Sequence, residues 1–238
     1  MGFEWNNFIF SIDSAMKYMN VTIKLTFITF VFSFIFALMI GTIRYYKIPV
    51  ISQILLVFVT IYLGLPLMVS LVIYNLLFLT SYQSFATYLH IEIPITEIDP
   101  IYIAYFAMIM AYSCMMSETV RGAFAGIDKV QYEAGYSVGL TKFQTFREII
   151  FPQMIPIMIP SLINFLIGTL KGSNLVSAIG VTELMVAALM PCQKTYSYLE
   201  GYVAAALLYW LVGILIELSC ACIEKKSGRH RKKVVAET

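Results

Sequence analysis

The chain has 238 residues, of which 60% are hydrophobic and only 13% charged, and its mean hydropathy is +0.81. Ordinary soluble domains hold roughly 45–50% apolar residues, so this composition excludes a single soluble domain and describes an integral membrane protein. A net charge of +2 from 16 basic and 14 acidic residues gives no reason to expect nucleic acid, and four cysteines, three of them in or beside apolar stretches, suit neither a disulfide framework nor a zinc site.

In residues 1–20, Phe8, Ile9, Ile12, Met16 and Met19 recur at helical spacing and leave Asp13 and Lys17 on another side, the pattern of a short interfacial helix. Lacking a basic start and a small-x-small site, this segment is not expected to be a cleaved signal. Five windows then reach the roughly 20 residues needed to span hydrocarbon: about 22–43, 54–80, 100–122, 157–179 and 199–222. The expected architecture is an all-α membrane protein with a transmembrane domain over 21–222, a polar connecting loop at 123–155 and a basic tail at 223–238.

The second window contains Gly64-Leu65-Pro66-Leu67. Proline removes one helical hydrogen bond, so Pro66 is read either as a packing kink or as a hinge. The loop at 81–99 carries His90, Glu92, Glu97 and Asp99 but no Lys or Arg: either a solvated loop or a docking edge for a solute-binding protein. At the end of the third window Glu118 and Arg121 stand three apart, positioned for an ion pair, unless Glu118 faces the bundle centre and meets substrate.

Between the third and fourth windows lies DKVQYEAGYSVGLTKFQTFREIIFP, residues 128–152, polar and mixed in charge. Asp128 can cap a first helix, with Gln131 three residues on, and Gly139 can close it in the left-handed conformation. Thr141 and Gln144 have the spacing of a capping box for a second helix, with Phe143, Phe146, Ile149 and Ile150 on one face and Pro152 as its end. A loop that folds into its own helix–turn–helix with an apolar face presents a plug to a protein partner and not to lipid.

The fourth window carries Pro160, Asn164, Gly168 and Lys171-Gly172-Ser173-Asn174. An ammonium inside a span costs roughly 2.5–3.5 kcal/mol, so Lys171 should face protein or water. Gly172 can loosen the helix there and expose backbone groups beside Lys171, Ser173 and Asn174, a suitable setting for a zwitterion, although a structural or snorkelling lysine is the alternative. The fifth window shows no readable chemistry, and the tail Lys225–Lys233 suits anionic lipid. Placing the first loop inside puts twelve basic residues on the inner side against three outside (Lys17, Lys24, Lys194), with Lys171 within a span, so the N-terminus is expected outside and the tail in the cytoplasm.

Glu133-Ala134-Gly135, Gly139, Ile150 and Pro152 resemble the EAA signature of membrane subunits of ATP-binding-cassette importers, with Gly135 where the third letter is usually Ala. The resemblance extends over roughly residues 20–222 and points to the polar amino-acid branch, which includes histidine, glutamine, glutamate, arginine and cystine systems. Gly64-Leu65-Pro66-Leu67 is similar to its R-G-T-P-L stretch, with Leu63 and Leu65 replacing the Arg and Thr; Ser117–Gly122 is similar to A-E-I-F-R-G-A. Asn164, Lys171, Leu175 and Val176–Leu184 match N-x-x-x-x-x-x-K-D-T-S-L and V-S-x-I-G-V-x-E-L, with Gly172 replacing the usual Asp and Ser173-Asn174 replacing Thr-Ser.

The resemblance implies a type I importer-like permease in a bacterial cytoplasmic membrane. Its coupling segment, through Gln131, Tyr132, Glu133, Ala134, Gly135, Gly139, Leu140 and Phe143, would seat in a cytoplasmic ATP-binding subunit. Further partners would be a second copy or paralogue and an extracytoplasmic solute-binding protein. Asn164, Lys171, Ser173, Asn174 and Glu118 would line the path of a polar amino acid, with Pro66 as a hinge. ATP and Mg would reside on the partner, since this chain has no G-x-x-x-x-G-K-[ST] loop, and no catalytic, metal or cofactor site is expected here: His90 and His230 fall on opposite sides. The alternative is an ion-coupled transporter acting without an ATPase, which would call for an internal repeat that five spans do not offer.

Overall fold

The computed structural model describes the backbone of residues 3–90 and 92–236, and side chains through residue 221. It is helical apart from turns, with no strand among the described residues, and five helices have the length and apolarity to cross a bilayer.

Helix α1 runs unbroken over Trp5–Tyr45. The interfacial helix expected in residues 1–20 is therefore not a separate element. No Gly or Pro stands between Phe3 and Ile40 to interrupt the helical bonding, and the first turns are held by protein contacts. Ser14 donates to the carbonyl of Ala187 at 2.7 Å, and the Glu4 N–H donates to Glu200 at 2.9 Å. Forty-one residues extend about 60 Å, roughly twice a hydrocarbon core. Further along, Thr22, Thr26, Thr29, Ser33, Ala37 and Gly41 are buried in a stripe of small residues. Such a stripe lets another backbone approach closely where no hydrophobic effect drives helices together.

The neighbour is α4, Ile101–Ala125, which forms the most extensive helix pair with α1. Ser33 donates to the carbonyl of Ile109 at 3.2 Å, and a Cβ on Gly41 would lie 2.8 Å from Val120 Cβ and 2.9 Å from the Ser117 carbonyl oxygen. These two helices are the spine of the bundle.

The single second span expected over 54–80 is two helices, α2 (Ile51–Gly64) and α3 (Leu67–Tyr88), of which only α3 has spanning length. Leu65 is extended (φ −96°, ψ 121°) because the ring of the following proline disfavours the helical region. Pro66 (φ −59°, ψ 135°) precedes the first residue of α3, so it separates two rods and does not kink one. The loop after α3 is correspondingly shorter than the 81–99 expected and holds one 3₁₀ turn, Ile95–Glu97.

After α4 come α5 (Lys129–Ser137) and α6 (Lys142–Thr145), then a π turn over Phe146–Ile150 that feeds α7, Phe151–Gly172. Pro152 does not end the second short helix as expected. In the π turn the Phe151 N–H reaches back five residues to Phe146, and the proline falls in the first turn of α7, where its missing N–H has no i−4 bond to break. The expected pair of short rods is thus one short rod and an extension of the fourth span.

Beyond α7 a 3₁₀ segment, Ser173–Ile179, closes on Gly180 (φ +87°). Short helices α8 (Leu184–Leu189) and α9 (Cys192–Thr195) lead to α10, Tyr198–Ala236. Cys114 and Cys192 are buried free thiols and Cys220 is half-buried; the side chains of Cys222 and of the basic tail lie outside the described residues.

Candidate functional site

Local chemistry shapes α5. The Asp128 carboxylate accepts the Val130 N–H at 3.0 Å, satisfying one of the unpaired donors of the first turn. Gln131 does not complete a box; its Oε1 accepts instead from Gln153 Nε2 of α7 at 3.1 Å, tying α5 to the bundle. At the far end the Leu140 N–H bonds to the Gly135 carbonyl and the Gly139 N–H to the Tyr136 carbonyl, each at 3.0 Å, around Gly139 at φ +83°. This is a Schellman closure, which requires the left-handed residue that glycine supplies. Thr141 then accepts the Gln144 N–H at 3.3 Å while Gln144 Oε1 accepts the Thr141 N–H at 2.9 Å, so the capping box is complete.

The two stops place side chains outward. Val138 is 75% and Phe143 69% exposed, with Val130, Glu133, Ala134 and Tyr136 exposed beside them. Gln131, Tyr132 and Leu140 are half-buried and Gly135 is buried, so they form the base of this knob and not its crown. The apolar face expected for Phe143, Phe146, Ile149 and Ile150 is divided. Phe143 points out, whereas Phe146 and Ile149 pack against the core that holds Ile150.

Beneath the knob Tyr45 stacks on Phe124 with centroids 4.5 Å apart, and Phe124 stacks on Phe146 at 5.8 Å. Tyr132 inserts beside this column, where burial first, and then the neighbouring Tyr45 and Tyr46 hydroxyls, push its phenol well above the usual tyrosine range. Through Tyr132, α5 is packed against rings of α1, α4 and the π turn that precedes α7.

Gly135 is the tightest point of the joint. A Cβ there would lie 2.6 Å from Thr145 Cγ2 and 2.8 Å from its Oγ1. We expect Gly135→Ala to weaken the seating of α5 by about 1–2 kcal/mol, the usual range for overpacking, and a second change, Thr145→Ala, to restore it. Thermal unfolding of the four variants in detergent checks this; additive losses would contradict it.

A second group of polar residues lines α7. Asn164 and Lys171 are both exposed and stand seven residues apart, two turns along one face, and among the described residues no carboxylate pairs with Lys171. Asn174 is half-buried one turn further on. Ser173 is not on this face: it is fully buried and its hydroxyl donates to the Leu170 carbonyl at 2.7 Å. Gly172 is explained by packing. Tyr112 donates to the Gly168 carbonyl at 2.9 Å, and its hydroxyl occupies the space where a side chain at position 172 would stand.

Glu118 is separate from Lys171. It lies six residues beyond Tyr112 on α4, about 9 Å along the axis, and pairs with Arg44 and, at 2.9 Å, with Arg121. The expected Glu118–Arg121 pair is present. Its second partner Arg44, whose side chain is only 8% exposed, belongs to the last turn of α1, 74 residues away along the chain and beyond the reach of any local pattern.

Glu183, the acidic letter of the family-like stretch Val176–Leu184, joins three helices. Its side chain is fully buried. One oxygen caps α8 by accepting the Met185 N–H at 2.8 Å and the Val186 N–H at 3.3 Å. The other accepts from Thr22 Oγ1 of α1 at 3.3 Å and from Tyr209 Oη of α10. At the loop after α3, His90 and Glu92 line an open polar recess with Tyr82 and Gln83.

The family model described as binding-protein-dependent transport system inner membrane component matches residues 33–229. The chain is 32% identical over 216 residues to a probable amino-acid ABC transporter permease protein, PatM, of Vibrio harveyi, covering 91% of this chain and 92% of that one. It is 28% identical to the L-cystine transport system permease protein TcyL of Bacillus subtilis (strain 168), covering 94% and 91%. Among solved structures, that of an amino acid ABC transporter with histidines superposes with a TM-score of 0.78 at 24% identity, over 95% of this chain and 100% of that one, a likeness of fold.

Proposed function

The chain belongs to the binding-protein-dependent transport system inner membrane component family, and from that premise we propose that it is the permease subunit of an ATP-binding-cassette importer that carries a polar amino acid into the cell. The observation that carries this reading is the twice-capped knob around Gly139, which holds Val138 and Phe143 out in a rigid frame at an end of the bundle rich in Arg and Lys. An apolar surface so displayed next to charge fits a protein groove better than lipid.

In this reading α5 docks in a cytoplasmic ATP-binding subunit, which holds ATP and Mg; this chain holds neither. The positive-inside distribution supports a cytoplasmic knob and tail and an outer N-terminus. The nucleotide cycle of the partner moves α5, and the aromatic column passes that movement to α1, α4 and α7. Asn164 and Lys171 face the path, where the ammonium meets the substrate α-carboxylate. A second copy or paralogue completes the path, because five spans present this strip on an open face. A solute-binding protein meets the loop around His90 and Glu92. The relatives, named as an amino-acid ABC transporter permease protein and an L-cystine transport system permease protein, lend nothing to an ion-coupled mechanism.

Reconstitution tests it. Proteoliposomes holding this chain with its ATPase and binding protein should take up a labelled polar amino acid only with ATP, and Lys171→Met should raise the half-saturating substrate concentration about tenfold, the size of one charge-assisted contact. Gradient-driven uptake by this chain alone would overturn the proposal, and an unchanged Lys171→Met would remove that residue from the path.

A further inference from the structure

Resting on the reading of Lys171 as a substrate contact, we propose that Tyr209 and Glu183 are positioning residues which, from the buried back of α7, set where Lys171 and Asn174 stand on its open front. Lys171 lies in the last turn of α7, at the point where α-helical bonding gives way to the 3₁₀ segment. The Ser173 N–H closes this end on the Leu170 and Thr169 carbonyls, and the change from α to 3₁₀ bonding makes the junction the point where a side-chain contact can alter the path of the backbone. Ser173 is the buried residue of that junction, and its Oγ lies 3.4 Å from Tyr209 Oη. Tyr209 Oη in turn bonds to Glu183, whose remaining contacts reach α8 and α1.

Four donors converge on Glu183: two backbone N–H groups, the Thr22 hydroxyl and the Tyr209 hydroxyl. Thr22 is itself oriented by the Leu184 N–H, which donates to its Oγ1 at 3.0 Å, so its own proton is directed to the carboxylate. A carboxylate only accepts, so Tyr209 donates into it and keeps its oxygen lone pairs for Ser173. The single Ser173 proton then has two acceptors, the Leu170 carbonyl at 2.7 Å and Tyr209 Oη at 3.4 Å. Turned to Leu170 it adds a second donor to a carbonyl that already accepts the Ser173 N–H; turned to Tyr209 it leaves that carbonyl to the N–H alone and ties the junction to α10. Glu183 fixes the direction of the Tyr209 hydroxyl and so maintains both options. Lys171 and Asn174 flank Ser173 and move with it.

The test is a double-mutant cycle in the reconstituted importer, with recovery of the ATPase subunit as the control for assembly. Tyr209→Phe keeps the ring and deletes only the bridging hydroxyl. It should raise the half-saturating amino-acid concentration about fivefold to tenfold, the effect of one hydrogen bond to a charged group, with a smaller change in maximal rate. In a Lys171→Met background the same change should have no further effect, because it acts through the ammonium. Full persistence of the effect in that background, or no change in half-saturation in the first place, would overturn the proposal.

A second measurement separates this idea from the substrate reading. The rate at which an impermeant maleimide labels Asn174→Cys reports the position of the junction directly, and Tyr209→Phe should change it severalfold. Should Lys171→Met leave half-saturation unaltered, the substrate role of Lys171 falls alone and labelling decides the brace: a changed rate supports it and an unchanged rate overturns it.

Discussion

Gly139→Val is expected to lower the amount of ATPase subunit recovered with this chain at least tenfold and to abolish ATP-driven uptake, while the chain still inserts into the membrane. The reason is conformational. Gly139 sits at φ +83° with no atom within 4 Å of where a Cβ would be built, so crowding is not the obstacle. A side chain there meets its own backbone instead, at a cost of about 1–2 kcal/mol for an ordinary L-residue and more for a β-branched one. The chain relieves that strain by giving up the two closing bonds to Gly135 and Tyr136. Once they open, Val138 and Phe143 lose their fixed separation, and about 1.4 kcal/mol corresponds to each tenfold loss of affinity. Asparagine tolerates the left-handed region better than other non-glycine residues, so Gly139→Asn should retain most of the ATPase. Equal recovery with valine and with glycine would show that the knob is not the docking surface.

Glu183→Ala should be the most damaging single change to the folded chain. It strips the acceptor from two backbone N–H groups and two hydroxyls at a fully buried position. Each buried donor left without a partner costs about 1–3 kcal/mol, and partial relaxation brings the sum to about 4 kcal/mol. For a chain of this size that corresponds to a fall in Tm of about 10 °C. Glu183→Gln keeps an oxygen for the two N–H groups and should lose less. Thermal unfolding followed by size exclusion in detergent distinguishes the three proteins. Wild-type stability for the alanine variant would mean that α1, α8 and α10 are held together without this carboxylate.

The two results would fail independently, because the residues belong to opposite ends of the molecule's working parts. Gly139 shapes the exposed surface that carries Val138 and Phe143, and Glu183 joins α1, α8 and α10 elsewhere in the fold. A variant that assembles with its ATPase yet transports poorly points to the second region, and one that is stable yet unassembled points to the first.

What could be read directly from the sequence is whatever chemistry acts within a few residues. Apolar stretches of spanning length marked the membrane-crossing helices because a backbone in hydrocarbon must satisfy its own hydrogen bonds. Asp128, Gly139 and the Thr141–Gln144 pair marked the shape of the knob because caps and closures are completed by donors and acceptors two to five positions away. The tertiary structure alone decided matters that depend on distant neighbours. It determined that Pro66 parts two helices, that Pro152 lets a helix pass by means of a π turn, and that Ser173 turns inward while Lys171 turns out. Thr22 and Tyr209 reach Glu183 from 161 and 26 residues away along the chain. No periodicity or local motif encodes such a meeting, since it arises only when helices pack and a buried carboxylate must find donors or forfeit several kcal/mol.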